Sequence, residues 1–505
     1  MNVTGTLILG FVVVFVVQSW FRSFRKNASY KLPPLVPGIP IFGNTFQIPA
    51  LQQGPWAKKL ADKYGEMFAC QFGSQTWVFL NSSRVVNDLM ERRAAIYSSR
   101  PPFPMTQGIM SGNSRIVLMP YNERWRTLRK IMHQILSSTK LYMPFEDLES
   151  KQLLWDYLEK PNRWWSANGR YANSVIMSVI FRRRSLLDDP DVVELFETLE
   201  LFLENQQPGV NIVDAFPILD RLPKRLQWWR PRGERIFEKI KKVYAREEER
   251  LRRKMNGNQK ECFGTAFLQT KEVTEMSQTQ RLFVFGTLME AGSDTSRVTL
   301  GQIIAGAATY PDWVERARVH LDAVCGHHAE RLPQWADRDQ LRYITAVVKE
   351  GFRWRPNIAE IGAPTMLHIK DDEYEGYKFP AGTVFTWNAW AIALSPDEYE
   401  DPERFWPDRF LNDDLTNPLK GHWAFGPGRR VCAGWKVGEM NVWIAIARLL
   451  YCFDFTQVPD KPIDTMTIPQ LTKHSAPFDV KVSLRSEAHA ALIRRDCEEV
   501  TRIQY

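Results

Sequence analysis

The sequence predicts a mainly helical protein with a few short strands and one N-terminal transmembrane helix. From Lys140 to Leu300 the pattern is almost wholly helix-like. β-rich runs are short and early, as at Met67 to Phe72 and Thr76 to Asn81. Met1 to Phe21 contains no charged residue. The 505 residues, 44% of them hydrophobic, supply material for a large core. The formal net charge is +8, but the basic residues form no long run and accompany no nucleic-acid motif. A nucleic-acid partner is therefore excluded, and a negative membrane surface or an acidic protein suits the charge. Cys70, Cys262, Cys325, Cys432, Cys452 and Cys497 show no disulfide-framework or metal-cluster spacing, which predicts a reducing compartment and free thiols, Cys432 excepted.

Taken in order, residues 1–21 read as an uncleaved anchor, because Leu7 to Val17 is almost continuously apolar and suits a crossing of roughly 30 Å of hydrocarbon. No basic residue precedes the run and no small-x-small site follows it, against a cleaved signal peptide. Arg22, Arg25 and Lys26 come next, which places the body on the cytosolic side. Residues 22–45 form a basic, proline-rich hinge, with Pro33, Pro34, Pro37 and Pro40 fixing φ. The body, 46–505, starts with the β-rich pieces and helical stretches at Pro55 to Tyr64 and Ser83 to Arg93. Ser99 to Pro120 lacks periodicity and reads as a long functional or mobile loop. Tyr121 to Leu136 is helical and places Trp125 and Arg129 on one face. The charged stretch Lys239 to Lys254 reads as a solvated helix face.

Three further stretches carry chemistry. Ala291-Gly292-Ser293-Asp294-Thr295-Ser296 sits inside a helical run, Gln278 to Ala305, where Gly, Asp and Thr all cost helix stability. Glu350 and Arg353 form an i, i+3 pair on the helix Asp339 to Trp354. Phe425 to Gly434 reads Phe-Gly-Pro-Gly-Arg-Arg-Val-Cys-Ala-Gly, ahead of an apolar helical segment from Val437 to Phe455. Its glycines permit tight turns and close approach to a flat partner. The helix start turns its positive end toward Cys432, which reads as a metal ligand. A cysteine beside glycine is also often a small buried hydrophobe, but six specified positions coincide by chance on the order of once in 10⁵ such chains.

Those residues, Phe425, Gly426, Gly428, Arg430, Cys432 and Gly434, match the haem-ligand signature of the cytochrome P-450 family, which the chain resembles. The resemblance implies the cytochrome P-450 fold, a single helical body with small sheets, holding one haem b on Cys432. It implies that Phe425, Gly428 and Gly434 shape the haem site, and that Trp125, Arg129 and Arg430 reach the haem propionates. It puts Ala291 and Gly292 over the distal face, where the small pair makes room for O₂, and makes Asp294 and Thr295 a proton relay. Glu350, Arg353 and Arg409 would brace the Cys432 loop, Arg409 coming from Pro407-Asp408-Arg409-Phe410. Position within the family pattern makes Phe103, Met105, Phe285, Met289, Ile358, Ile361, His474 and Ser475 candidates for lining a pocket, and core packing suits each of them equally. Related fungal sequences have Pro followed by His or Arg where this chain has Pro364-Thr365-Met366, and His368 is not assigned that role.

The implied activity is insertion of one oxygen atom from O₂ into an apolar small molecule, in the manner of filamentous-fungal members that tailor natural products. NADPH would supply electrons through a membrane-bound flavoprotein reductase, docked by Arg126, Lys130, Arg429 and Lys436. The implied location is the endoplasmic reticulum membrane, single-pass. The alternatives are an isomerase, dehydratase or coupling enzyme on the same haem, and a non-catalytic haem sensor or electron carrier. An intact Asp294-Thr295 pair argues against the last, since neither role needs a proton relay.

Overall fold

A computed structural model gives the structure of the chain and describes residues 30–255, 262–356, 365–467 and 475–504, together with 10, 14, 17, 18 and 21. Apart from those five, the expected anchor lies outside the described residues, as do Ile358, Ile361 and His474. Among the described residues no helix is long and apolar enough to cross a membrane.

The body is helical, as its periodicity requires. Its longer helices are α1 (Gln53–Tyr64), α2 (Glu123–Leu136), α3 (Thr139–Glu159), α4 (Trp164–Phe181), α5 (Pro190–Gln206), α6 (Arg230–Met255), α7 (Phe263–Gln269), α8 (Gln278–Thr309), α9 (Asp312–Cys325), α10 (Arg342–Arg353), α11 (Trp435–Cys452) and α12 (Glu487–Cys497). The strands are β1 (Met67–Phe72), β2 (Gln75–Leu80), β3 (Thr365–Leu367), β4 (Asp372–Tyr374), β5 (Tyr377–Phe379), β6 (Val384–Trp387), β7 (Phe453–Gln457) and β8 (Val480–Leu484). One four-stranded sheet runs in the order β1-β2-β6-β3, with β2 and β6 parallel and the other pairs antiparallel. Two antiparallel hairpins, β4-β5 and β7-β8, complete the strands.

Helix α8 is the axis of the molecule. Its N-terminus is closed by a capping box, in which the Ser277 hydroxyl accepts from the Gln280 amide and the Gln280 side chain accepts from the Ser277 amide. Small residues let its neighbours approach: a Cβ on Gly292 would lie 2.6 Å from Ile176 of α4, and one on Gly301 would lie 2.8 Å from Trp165. One apolar cluster joins α3, α4, α9, α10 and α11 to the C-terminal half of α8; a second joins α2, α5 and α6 to its N-terminal half.

Three expectations change. The proline-rich stretch is docked on the sheet: Val36 donates to the Ala69 carbonyl and Ala69 donates to the Pro34 carbonyl, each at 2.9 Å. The stretch 99–120 is not a free loop, since its helical turns Pro104–Ile109 and Ile116–Leu118 are largely buried. The charged part of α6 is solvated on only one side, because Glu247 and Glu248 are buried and Glu247 meets Arg183 and Arg250.

Candidate functional site

The Cys432 loop is closed by its own backbone, with Cys432 N–H donating to the Phe425 carbonyl at 2.8 Å and Val431 N–H to Gly428 at 3.0 Å. Gly426 and Gly428 have φ of 72° and 63°, the left-handed region where a Cβ is strained. A Cβ on Gly428 would also collide with the Met90 carbonyl, while its N–H donates to Glu91 Oε1 at 2.7 Å. These two glycines thus answer to turn geometry and the segment beneath. Gly434 differs: nothing lies within 4 Å of the place its Cβ would take. Phe425 packs on Phe352 of α10, ring centres 4.9 Å apart.

Cys432 keeps an exposed surface, yet burial pushes its thiol up, opposed by a hydrogen bond from the Gly434 N–H and by the Arg129 charge. Gly434 is the N-cap of α11, so the helix start faces the sulfur and favours its anionic form.

Three arginines converge beside this loop. Arg129 Nη2 donates to the Val431 carbonyl. Arg430 donates to the Ser98 and Met119 carbonyls, both at 2.7 Å, and its guanidinium lies 4.1 Å from the Trp125 ring centre. Arg100, which sequence reasoning missed, donates to the Val117 carbonyl at 2.8 Å. Burial, aided by repulsion from Arg100 and Arg129, pushes Arg430 down to about 8, and burial pushes Arg100 down to about 10. Desolvated cations that repel one another call for an anion between them. Arg100 follows Ser98-Ser99 and precedes Pro101, and nothing in that local pattern marks it out.

Between Leu282 and Ala308 the side chains of α8 are buried except at Thr287, Ala291 and Thr295, and Gly292 beside them also keeps accessible surface. Thr287, Ala291 and Thr295 stand four residues apart and share one face. Thr295 donates its hydroxyl to the Ala291 carbonyl at 2.7 Å. Gly292 has no room for a side chain, since a Cβ there would lie 2.6 Å from Ile176, and it too keeps some accessible surface. Asp294 lies on the flank, buried in an ion pair with Arg297, whose guanidinium rests on Trp165 and Phe196. The four-residue spacing of Thr287, Ala291 and Thr295 was a signal in the sequence that would have found Thr287.

Glu350, Arg353 and Arg409 do meet. Arg353 Nε donates to Glu350 Oε2 at 2.9 Å, and Arg409 Nε lies 3.4 Å from the same oxygen. Glu350 and Arg353 are fully buried; Glu350 also accepts from the Trp406 amide at 2.7 Å, and Arg353 donates to the Ala393 carbonyl at 2.8 Å.

The lining candidates separate. Phe285 is wholly buried between Phe181 and Phe267, ring centres 5.2 and 5.1 Å away, and is core. Met289, two residues before Ala291, is turned some 200° from it and is also core. Phe103 and Met105 are buried in the cluster that holds Ile109, Ile236 and Ile240. Ser475 is exposed. His368 is fully buried beside Tyr97, ring centres 4.6 Å apart.

An accessible thiol at a helix start, a bare Gly434, converging arginines and a small-residue stripe fit a flat, metal-bearing, dianionic group such as haem. Comparison with known proteins bears on this fit. The profile of the cytochrome P450 family matches residues 33–482. The cytochrome P450 monooxygenase virE of Hypocrea virens is 31% identical, over 97% of this chain and 92% of its own length. Cytochrome P450 monooxygenase verL of Clonostachys rogersoniana is 32% identical, over 96% and 92%. Cytochrome P450 monooxygenase macC of Penicillium terrestre is 33% identical, over 97% and 96%.

Proposed function

Because the chain belongs to the cytochrome P450 family and is an oxidoreductase of its monooxygenase type, we propose that it oxygenates an apolar small molecule in natural-product biosynthesis. The fungal sources of its relatives support that setting. Cys432 would hold the iron of a haem b through its thiolate, and the observation that carries this is its accessible sulfur beside the Gly434 N–H and Arg129. Arg100, Arg129 and Arg430 neutralise the two propionates, and Trp125 backs Arg430 through the face of its ring. When bound, the haem supplies reductive activation of O₂, favoured by thiolate ligation.

The chain's own residues do the rest. Ala291 keeps the distal face open, and the Thr295 hydroxyl, anchored on the Ala291 carbonyl, holds a proton donor at its edge. Asp294 is the proposed acid behind Thr295, held in its buried position by the ion pair with Arg297. The Glu350, Arg353 and Arg409 network braces the Cys432 loop through Phe352 and Phe425. Electrons come from NADPH through a flavoprotein reductase docked on Arg126, Lys130, Arg429 and Lys436, of which Arg126, Lys130 and Arg429 are exposed. Residues 1–21 anchor the enzyme in the endoplasmic reticulum membrane with the body in the cytosol.

Turnover with NADPH, reductase and a library of terpenoid, alkaloid and polyketide scaffolds under ¹⁸O₂ tests the reading. One labelled oxygen in the product is expected. Product formed without label would replace oxygenation by an isomerase, dehydratase or coupling reaction.

A further inference from the structure

The residues that lead into the Cys432 loop, 421–426, are fixed by two side chains outside the bracing described above. Tyr399 donates its hydroxyl to the Gly421 carbonyl at 2.9 Å. Its ring centre lies 5.3 Å from the Arg353 guanidinium and 5.9 Å from that of Arg409. One residue therefore joins both cations of the Glu350 network to the segment ahead of Cys432. Gly421 has φ of 80°, and a Cβ there would lie 2.7 Å from the ring of Phe410, the neighbour of Arg409. Only glycine suits that backbone.

His422 comes next and is buried. Its Nδ1 accepts from the Ala424 N–H at 3.3 Å, which makes Nε2 the protonated nitrogen. Burial and the Lys349 charge, opposed by the Pro418 carbonyl, push the imidazole down to about 3, so it is neutral. Its ring centre lies 5.3 Å from that of Phe352 and 5.8 Å from that of Phe425. The Phe425 carbonyl in turn accepts from the Cys432 N–H. Arg353, Tyr399, Gly421, His422, Phe425 and Cys432 thus form one line of contacts. Tyr399 and His422 also line, with Phe352 and Arg353, a cavity of about 10 Å³, room for a single water molecule. Packing leaves a gap at this joint, and directional hydrogen bonds fix what ring contacts alone would let slide.

We propose that Tyr399 and His422 carry the restraint of the Glu350, Arg353 and Arg409 network to Phe425, and so hold the Cys432 sulfur in place for the haem iron. These are positioning residues, acting through the segment 421–426. The proposal rests on the haem reading above, so its test includes one measurement that does not read haem. Full-length Tyr399→Phe keeps the ring over both guanidinium groups and loses only the bond to Gly421. His422→Leu removes the acceptor for Ala424, and His422→Asn, whose side-chain oxygen can stand where Nδ1 does, restores it. Tyr244→Phe is the control. It removes a buried hydroxyl that donates to Glu290 and accepts from Arg115 Nη2 at 3.3 Å, in the other apolar cluster.

Hydrogen–deuterium exchange over 421–426 reads the joint directly. The rate at which the carbon monoxide complex loses its thiolate-type Soret band in a fixed urea concentration, followed at constant total haem, reads the hold on the sulfur. Tyr399→Phe and His422→Leu are expected to raise both rates threefold or more, while His422→Asn and the control stay within twofold of wild type. A rise below threefold for Tyr399→Phe in either measurement, an equal rise in the control, or His422→Asn as fast as His422→Leu overturns the proposal. Should His422→Leu fail to fold, Tyr399→Phe, which loses one hydroxyl and keeps every ring atom, decides alone. Absence of a thiolate-type carbon monoxide band in wild type would instead overturn the haem reading, and exchange would still judge the joint.

Discussion

At Thr295 and Asp294 adjacent side chains take opposite surroundings: one keeps accessible surface, the other is buried against Arg297. Thr295→Ala removes the hydroxyl at the accessible edge with little loss of packing. NADPH consumption is then expected to continue while product falls and peroxide rises, measured as the ratio of product to NADPH oxidised. Tightly coupled turnover in this variant would remove Thr295 from the relay. Asp214 carries a pH prediction. Burial, partly offset by the hydrogen bonds from Met105 and Thr106, pushes its carboxyl up to about 7. A carboxyl raised above its unfolded value stabilises the fold while protonated, so its contribution is complete below about pH 4 and lost as pH rises through about 7. The loss is at most about 4 kcal/mol, at 1.36 kcal/mol per pKa unit. Asp214→Asn keeps the shape without the titration, so the stability of wild type relative to this variant should decline between pH 4 and 8. A flat difference over that range would contradict the burial account.

Helix α10 shows how an element transmits the cost of one charge. Glu350→Gln leaves Arg353 and Arg409 facing a neutral group in a dry site, and removing one partner of a buried pair costs about 3–5 kcal/mol. Urea unfolding should show a loss of that order, accompanied by faster haem release because α10 touches the Cys432 loop through Phe352 and Phe425. A loss under about 1 kcal/mol would mean that the network is dispensable. Elements were also where sequence reading was sharpest and where it failed. β1 falls on Met67–Phe72 as expected, and α8 covers Gln278–Thr309 against an expected Gln278 to Ala305. Periodicity reports such elements because burial is regular along them. Which face of α8 opens on the site depends on register against α4 and α6, so for Phe285 and Met289 the sequence left pocket lining and core packing both open. Arg100 and the Arg115, Glu290 and Tyr244 contact were hidden for a related reason. The partners of Arg115 lie 129 and 175 residues away, and no local pattern records them.

At the scale of the whole molecule, the motif residues stood out in the sequence because their types are unusual where they stand: three glycines around a cysteine and a polar hexapeptide inside an apolar helical run. The docking of residues 31–45 on the sheet was not readable, since prolines announce stiffness and say nothing of what they lie against. The proposed anchor makes a prediction at this scale. Deleting residues 1–21 should move the protein from alkaline-carbonate-washed membranes into the supernatant, while the net charge of +8 gives only salt-sensitive attachment. Retention on washed membranes after the deletion would contradict an anchor at 1–21. The central claim is the bond between Cys432 and the haem iron, and the absorption spectrum of the reduced carbon monoxide complex reads it most directly. Wild type should give the long-wavelength Soret band of thiolate ligation, and Cys432→Ser, at matched haem content, should lose it. The same long-wavelength band in both proteins, or its absence from haem-loaded wild type, would contradict the account.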